Sequence, residues 1–389
     1  MTAEVEVSRP PPWRDLRILR IVLQVAALIG TGLLLYVLWF NLTNNLRSQG
    51  IRTDFGFLDQ PFGVQIPDAA LGRSAPVRQA FLVGIKNTLA LVVVGLPLLT
   101  IIGVVVGVAR LSTNWLAARA AALYVELLRN LPPLLIIVFV FRALILQLPP
   151  SRTPITPFGW LVISNLRITV PGFEANQTFA AFRLVIGAAL VMAVGVWVWR
   201  TRLSDRTGVA HHRVLWSIGL FVSLGVLGFL LLDRPFGLSR PTLDGRVVTG
   251  GFSGLGGYFA VLIALVVYTA SHVAEIVRGS LQAVPKGQTE AAHALALSGF
   301  QRLRFVTLPQ AMRIALPPII NQYLNFTKNT SLALAVGYAE ITTLAFQSIG
   351  NGQPAPQVIL LLMSVYLFFS LAISLAVNLL NRRLQVATR

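Results

Sequence analysis

The chain has 389 residues, of which 55% are hydrophobic and 12% are charged, with a mean hydropathy of +0.72 and a formal net charge of +18. Globular domains are about one quarter charged, so this composition excludes an ordinary soluble protein. The absence of cysteine excludes disulfide bonds and thiolate chemistry, and the one close histidine pair, His211 and His212, lies in a polar stretch, so no metal site is predicted.

Apolar segments that reach or exceed the ~20 residues needed to cross a bilayer predict eight transmembrane helices, and hence an all-α integral membrane protein. In chain order the segments are residues 18–41, 82–109, 121–145, 180–199, 214–232, 256–277, 311–346 and 357–380. The first ends at Trp39-Phe40-Asn41 instead of small residues, which favours an uncleaved helix over a signal peptide. The seventh is longer than one span and is interrupted by the polar stretch Lys328-Asn329-Thr330-Ser331.

Basic residues flank the predicted spans, so the positive charge indicates membrane topology and not a nucleic-acid surface. With the N-terminus inside, basic residues favour the cytoplasmic segments by roughly two to one, as the positive-inside rule expects. Both termini are therefore predicted to be cytoplasmic. The external loops, at 42–80, 146–179 and 233–255, are rich in Pro, Gly and Asn, and we expect them to be irregular, either docking a partner or simply connecting helices.

The loop between the sixth and seventh spans predicts a short helix at the cytoplasmic end of the bundle. Pro285 and Gly287 should break the incoming helix, and Thr289 should cap a new one with Glu290 in its first turn. Small alanines then follow up to Gly299, which we expect to stop the helix in the left-handed region. A helix with such small side chains on its surface lets another protein approach its backbone closely. The residues alone also allow a basic helix resting on anionic membrane lipid.

This loop, residues 279–309, resembles the EAA loop of ABC importer permeases in its Glu290-Ala291-Ala292 and in its Leu308-Pro309. The glycine that the family carries six residues after the glutamate is Ala296 here, so Gly299 is expected to supply the turn instead. The resemblance implies a coupling helix seated in a cleft of an ATP-binding subunit. The residues assigned to coupling are Pro285, Gly287, Glu290, Ala291, Ala292, Ala296, Gly299, Leu308 and Pro309.

Three further stretches resemble the polar amino-acid permease module. They are Asn87-Thr88-Leu89, the Glu-x-x-Arg-x-x-Pro pattern at Glu126, Arg129 and Pro132, and the segment from Asn325 to Thr342. The extra first helix and the two-helix insertion resemble the general L-amino-acid permease subfamily. The resemblance implies a five-helix type I importer core at 82–145 and 256–389. It is preceded by a tail, helix and loop at 1–81 and interrupted by an insertion at 146–255.

The same resemblance implies the setting of a bacterial inner-membrane importer. The partners would be an ATP-binding subunit dimer carrying ATP and Mg²⁺, a second homologous permease in a heterodimer, a periplasmic binding protein and an L-amino acid substrate. The chain itself contains no P-loop, no cofactor site and no catalytic cluster, so it is predicted not to be an enzyme. The alternative is a secondary transporter for small polar solutes without an ATPase, which would predict inverted repeats and buried acidic residues.

An amino acid crossing a bilayer needs partners for both of its charges, because an unpaired charge costs several kcal/mol. Lys328, Asn329, Thr330 and Ser331, with Glu340 about three turns later, are the predicted substrate path. Three alternatives stay open: Lys328 extends to the cytoplasmic membrane surface, or it pairs with Glu126 or Glu275 to hold helices together, or only a partner subunit lines the pocket. Glu126, Arg129 and Glu275 are predicted to form structural ion pairs near the cytoplasmic ends of their spans.

Overall fold

The structure, a computed structural model, describes residues 16–48, 50, 54–67, 71–208, 212–244 and 247–384. Twelve α-helices are assigned within these residues: α1 Leu16–Ser48, α2 Val77–Ala109, α3 Trp115–Arg129, α4 Pro133–Phe139, α5 Phe179–Thr207, α6 Arg213–Leu231, α7 Gly256–Gln282, α8 Lys286–Ala294, α9 Gly299–Arg302, α10 Leu308–Asn329, α11 Ile341–Gly350 and α12 Ala355–Leu384. Shorter 3₁₀ or π segments lie at Gly56–Asp59, Val140–Ile145, Pro157–Gly159, Leu303–Thr307 and Thr330–Val336.

Six of these helices are individually long and apolar enough to cross a membrane, and two bent pairs bring the number to eight when each pair is one span. The mostly helical membrane fold and the eight spans therefore agree with the sequence prediction. The described residues form two compact units, one from 1–83 and 344–367 and one from 84–343 and 368–389. The predicted insertion at 146–255 lies wholly within the second unit.

The third span is not the continuous helix predicted at 121–145. Helix α3 ends at Arg129, and α4 begins at Pro133 after a bend of 104°. Pro132 and Pro133 explain the break, since proline has no N–H to donate and forces the preceding residue out of the helical region. Pro133 then occupies the start of α4, where a missing N–H does no harm.

The seventh span also breaks at a different place from the one predicted. Helix α10 continues through Lys328 to Asn329 and tightens into the 3₁₀ segment Thr330–Val336, so the polar stretch does not interrupt it. The chain changes direction at Gly337, whose φ is +68°, and α11 starts at Ile341 after a bend of 48°.

Two of the loops predicted to be external contain short strands that the sequence prediction missed. These are β1 Val162–Ile163, β2 Arg167–Val170, β3 Gly172–Ala175, β4 Phe236–Ser239, β5 Thr242–Asp244, β6 Val247–Thr249 and β7 Phe252–Leu255. All pairs are antiparallel, in the orders β1-β2-β7, β3-β4 and β5-β6. Strand β2 joins β7 with Arg167 opposite Leu255, so the loop before α5 is hydrogen-bonded to the loop before α7.

The first unit has a small core of its own. Phe57, Phe62 and Ile66 of the segment between α1 and α2 are 1%, 1% and 3% exposed. The Asn351 amide donates to the Phe62 carbonyl at 2.9 Å and so fixes this segment to the end of α11. The first unit therefore holds its external segment by both apolar packing and a side-chain hydrogen bond.

Helices α5 and α6 form an antiparallel hairpin in the second unit. Gly228 of α6 is buried against Val185 of α5, where an added Cβ would lie 2.7 Å from the valine side chain. At the other end of the hairpin the Arg200 guanidinium lies over the Trp216 ring, 4.5 Å from its centroid. The remaining apolar side chains of both helices are largely exposed, as expected for lipid-facing helices.

Helix α7 forms the core of the second unit, because 61% of its most apolar 18-residue stretch is buried. Gly103 and Gly107 of α2 face it, and an added Cβ would lie 2.5 Å from the Val273 side chain and 2.7 Å from the Ala274 carbonyl. This Gly-x-x-x-Gly spacing lets two membrane helices approach until their backbones nearly touch. The sequence analysis did not single out these glycines, although the spacing was visible.

The close approach of α2 and α7 predicts that Gly107→Ala destabilises the protein by about 1–3 kcal/mol, because the new methyl group overlaps a backbone carbonyl. Gly195→Ala on α5 is the matched control, since no atom lies within 4 Å of its added Cβ, and it should be neutral or slightly stabilising. Thermal unfolding in detergent followed by tryptophan fluorescence measures both. Equal melting temperatures for the two variants would contradict close packing at Gly107.

Candidate functional site

The segment after α7 folds into the short helix predicted there, but it begins four residues earlier than expected. Helix α8 starts at Lys286 with Pro285 as its N-cap, and the Gln288 amide donates to the Pro285 carbonyl at 3.0 Å. Gly287 and Thr289 are therefore inside the helix, and neither breaks nor caps it. Of the two predicted helix breakers, only Pro285 lies between α7 and α8, where a residue without an N–H cannot continue the first helix.

The end of α8 also differs from the prediction. The helix ends at Ala294 in a Schellman motif: the Leu297 amide donates to the Ala292 carbonyl at 3.1 Å and the Ala296 amide to the His293 carbonyl at 2.9 Å. Ala296 itself takes the left-handed conformation, with φ +55°. The alanine therefore occupies, at some strain, the position where the EAA pattern carries glycine.

Gly299 does not supply the stop that the sequence predicted. It is the first residue of α9, and Ser298 caps that helix in a capping box with Gln301. A serine followed three residues later by glutamine satisfies two helix-start donors reciprocally, which explains why a helix begins at Gly299.

Helix α8 and the residues after it present an exposed apolar surface. Glu290 and Ala291 are exposed, whereas Ala292 is 2% exposed and holds the helix against the chain. Leu295, Phe300 and Phe305 are 75%, 69% and 63% exposed. Large apolar side chains exposed together mark a surface that another protein or the membrane covers.

Polar contacts hold α8 to the next helices. The Gln310 amide donates to the Gln288 side-chain oxygen at 3.1 Å, and Arg302 contacts the ring of His293. Leu308 and Pro309 form the first turn of α10, where proline is tolerated. The segment 286–309 is thus a compact helical element connected directly to α7 and α10.

The predicted substrate-path residues lie together at the end of α10 but do not all point to one site. Lys328 is exposed and forms no ion pair with any residue that the structure describes. The Thr330 and Ser331 hydroxyls donate to the carbonyls of Thr327 and Lys328, at 2.7 and 2.8 Å. These hydroxyls therefore bond to their own helix, and the lysine is the group available to a ligand.

Glu340 is fully buried and caps α11. Its carboxylate accepts hydrogen bonds from the Thr342 amide at 2.9 Å and from the Thr343 amide at 2.7 Å, while the Thr343 hydroxyl adds a third at 3.1 Å. Carboxylates at helix N-termini are favoured by both these donors and the helix dipole. The geometry thus gives Glu340 a structural task at the bend.

Residues near the start of α2 complete the same bend. The Asn87 amide donates to the Ala339 carbonyl at 2.8 Å, and the Ile341 amide donates to the Thr88 hydroxyl at 3.2 Å. The sequence analysis noted Asn87 and Thr88 as part of a resemblance but gave them no contact. Nothing in their spacing could have placed them against residues some 250 positions later.

The predicted ion pairs form around Glu275 and include two arginines that the sequence analysis did not choose. Arg110 and Arg278 both contact the Glu275 carboxylate, and Arg129 lies 3.8 Å from it. Glu126 is exposed and joins no ion pair among the described residues. The cluster therefore brings Arg129 and Glu275 together and leaves Glu126 out.

Helices α2, α7 and α10 enclose an apolar cleft of about 920 Å³. Its polar groups include Thr100 and Tyr323, whose hydroxyls are hydrogen-bonded at 2.7 Å. Neither residue stood out in the sequence. Within the described part of the chain, no group of three or more His, Asp or Glu side chains is arranged to hold a metal ion.

The left-handed alanine predicts that Ala296→Gly stabilises the end of α8, since this conformation costs a residue with a Cβ on the order of 1 kcal/mol. Hydrogen exchange over residues 286–297 should slow by up to about fivefold, the equivalent of ~1 kcal/mol. Ala291→Gly, in the middle of the same helix, is the control and should accelerate exchange. Faster exchange in both variants would show that position 296 is not left-handed.

The cap at the second bend predicts that Glu340→Ala destabilises the protein by about 1–3 kcal/mol, because two buried amides lose their acceptors. Glu340→Gln keeps one acceptor oxygen and should lose less. The melting temperature of the full chain in detergent measures the difference. An unchanged melting temperature with altered transport would instead identify Glu340 as a substrate ligand.

Comparison with known proteins supplies the family. Residues 99–389 match the model of the binding-protein-dependent transport system inner membrane component. The YhdX permease protein of Escherichia coli is 36% identical over 374 residues, with 95% of this chain and 94% of that protein covered. AapQ of Rhizobium johnstonii, a general L-amino acid transport system permease protein, is 35% identical and covers 95% of this chain and 92% of its own length.

One solved structure, an amino acid ABC transporter with histidines, aligns with a TM-score of 0.46 at 18% identity, covering 79% of this chain and 94% of that one. The sequence relatives decide the assignment, since they are more than 30% identical over nearly the full length of both chains. The chain therefore belongs to the ABC transporter permeases, the inner membrane components of binding-protein-dependent transport systems, and is a multi-pass transport subunit and not an enzyme.

Proposed function

We propose that the chain is a permease subunit of an importer for L-amino acids, coupled to ATP hydrolysis through the segment 286–309. The names of its relatives supply the substrate class, since AapQ is a general L-amino acid permease protein. The exposed helix α8 supplies the coupling, and it is the single observation that carries the mechanism.

In this proposal, coupling uses the helical segment 286–309, whose exposed apolar side chains are free to contact another protein. Helix α8 follows α7 after three residues, and the residues after it lead directly into α10. An ATP-binding subunit that docks on Glu290, Leu295 and Phe300 would move both helices together. ATP and Mg²⁺ bind to that subunit, and its dimer closes and opens as ATP is bound and hydrolysed. The permease helices follow, exposing the path to each side in turn.

In this proposal, the coupling segment 286–309 determines the orientation of the chain in the membrane. Docking to an ATP-binding subunit places 286–309 in the cytoplasm, which agrees with the positive-inside bias and with both termini inside. The strand pairs between α4 and α7 are then periplasmic, and they offer an ordered surface to a substrate-binding protein. In this arrangement 82–145 and 256–389 form the core, and 146–255 is an insertion in it.

A second permease subunit is required, because one five-helix core forms half of a path. We propose a homologous but distinct partner, giving a heterodimer. On the substrate path, Lys328 is the residue best placed to meet a carboxylate, because it is exposed and has no ion-pair partner in the described chain. Glu340 supports the path indirectly, because its carboxylate stabilises the bend at the start of α11.

Charge reversal at Glu290 tests the proposal. The complete transporter, with its ATP-binding subunit and second permease, is purified in nanodiscs, and substrate-stimulated ATPase activity is measured. Glu290→Arg should reduce this activity by on the order of thirtyfold, as reversing one charge at a docked helix costs about 2 kcal/mol. Assembly of the two permease subunits should survive, because Glu290 is exposed and its carboxylate forms no hydrogen bond or ion pair with the residues that the structure describes.

Asp205→Arg provides the matched control, since Asp205 is an exposed carboxylate on α5, outside both the coupling segment and the strand pairs. It should leave ATPase stimulation unchanged. A chain that co-purifies with no ATP-binding subunit, or a rate indifferent to Glu290→Arg, would refute the coupling and favour a transporter that needs no ATPase.

A further inference from the structure

The cluster around Glu275 holds more positive charge than its one carboxylate can neutralise. Three arginines surround Glu275, and the part of the chain that the structure describes places no second carboxylate in ion-pair contact with them. The cluster therefore carries a formal excess of two positive charges. Partly buried charges of one sign are unfavourable unless a counter-ion meets them.

The three arginines differ in the number of hydrogen bonds they donate and in their exposure. Arg278 donates twice to Glu275 and once to Gln282 at 2.8 Å, and Arg110 is 14% exposed against the same carboxylate. Arg129 is 40% exposed and 3.8 Å from an oxygen that Arg110 already contacts. Among the described residues Arg129 donates no hydrogen bond, although a guanidinium has five N–H groups.

The depth of the cluster matches the layer of lipid headgroups. Glu275 is nineteen residues after the first residue of α7, which is about 28 Å along the axis at ~1.5 Å per residue. The hydrocarbon core of a bilayer is about 30 Å thick, so Glu275 lies near one of its boundaries. Because the coupling segment follows α7, that boundary faces the cytoplasm in the orientation proposed above.

We propose that Arg129, supported by the excess charge of Arg110 and Arg278, binds the phosphate of an anionic phospholipid from the inner leaflet. Arginine suits this ligand because its planar fork matches two phosphate oxygens. Basic pockets between membrane helices on the cytoplasmic side bind such headgroups in general. The site lies where α2, α3 and α7 meet, so a bound headgroup links the ends of three helices.

Lipid retention tests the site without any partner protein, so the outcome is independent of the coupling proposal. The full chain is purified in detergent, supplied with phosphatidylglycerol or phosphatidylcholine, and analysed by native mass spectrometry. Wild type should retain phosphatidylglycerol preferentially. Arg129→Gln should weaken this retention about fivefold, the contribution expected of one arginine at a membrane surface. Arg119→Gln, at an exposed arginine on the same helix, is the matched control and should change nothing.

Arg129→Lys separates binding from folding, because lysine keeps the charge and lacks the planar fork. It should retain phosphatidylglycerol at an intermediate level, and it decides the matter if Arg129→Gln cannot be purified. Equal retention by wild type, Arg129→Gln and Arg119→Gln would overturn the site. Inorganic phosphate that raises the melting temperature of the wild type as much as phosphatidylglycerol does would identify a free-anion site and overturn the lipid assignment.

Discussion

Every backbone N–H and C=O group that enters a bilayer must find its hydrogen-bond partner inside the protein, because lipid offers none. The chain breaks two of its spans and meets this constraint in two ways. At Pro132 and Pro133 the break removes donors, since proline has no N–H. At the bend before α11 the donors remain, and the Glu340 carboxylate and the Thr88 hydroxyl accept them. A buried carboxylate inside a membrane protein is thus explained by backbone satisfaction before any ligand is invoked.

Close helix packing connects these bends to the segment 286–309. Helix α7 is buried along most of its length, and Gly103 and Gly107 bring the α2 backbone against it. Backbones that nearly touch cannot slide without overlap, so the helices move as one body. A short helix that begins three residues after such a body transmits force to it with little loss in a flexible linker. This property is what the proposed coupling requires.

The sequence predicted the spans and the short cytoplasmic helix because both depend on local composition. It missed the contacts between residues that are distant in the sequence, and it missed the helix ends at which two neighbouring residues could each act as the cap. Gly299 looked like a helix stop, yet Ser298 and Gln301 make it a helix start, and the turn falls on Ala296 in the left-handed region. The capping role of Glu340 was missed because the start of α11 could not be placed from the sequence. Strands β2 and β7 pair across some 85 residues, and no local sequence pattern predicts such pairing.

The charged side chains of the second unit differ in how many of their hydrogen-bonding atoms have a partner in the chain. Glu340 has every oxygen engaged and stabilises a bend, whereas Lys328 and Arg129 each present a cation without a hydrogen-bonded partner in the described chain. A cation that its own chain neutralises only in part is costly near apolar surroundings, so we expect a group outside the chain to meet it. Lys328 lies at the end of α10 beside the second bend, and Arg129 is the last residue of α3. In our two proposals the transported solute meets Lys328, and the headgroup of an anionic lipid meets Arg129.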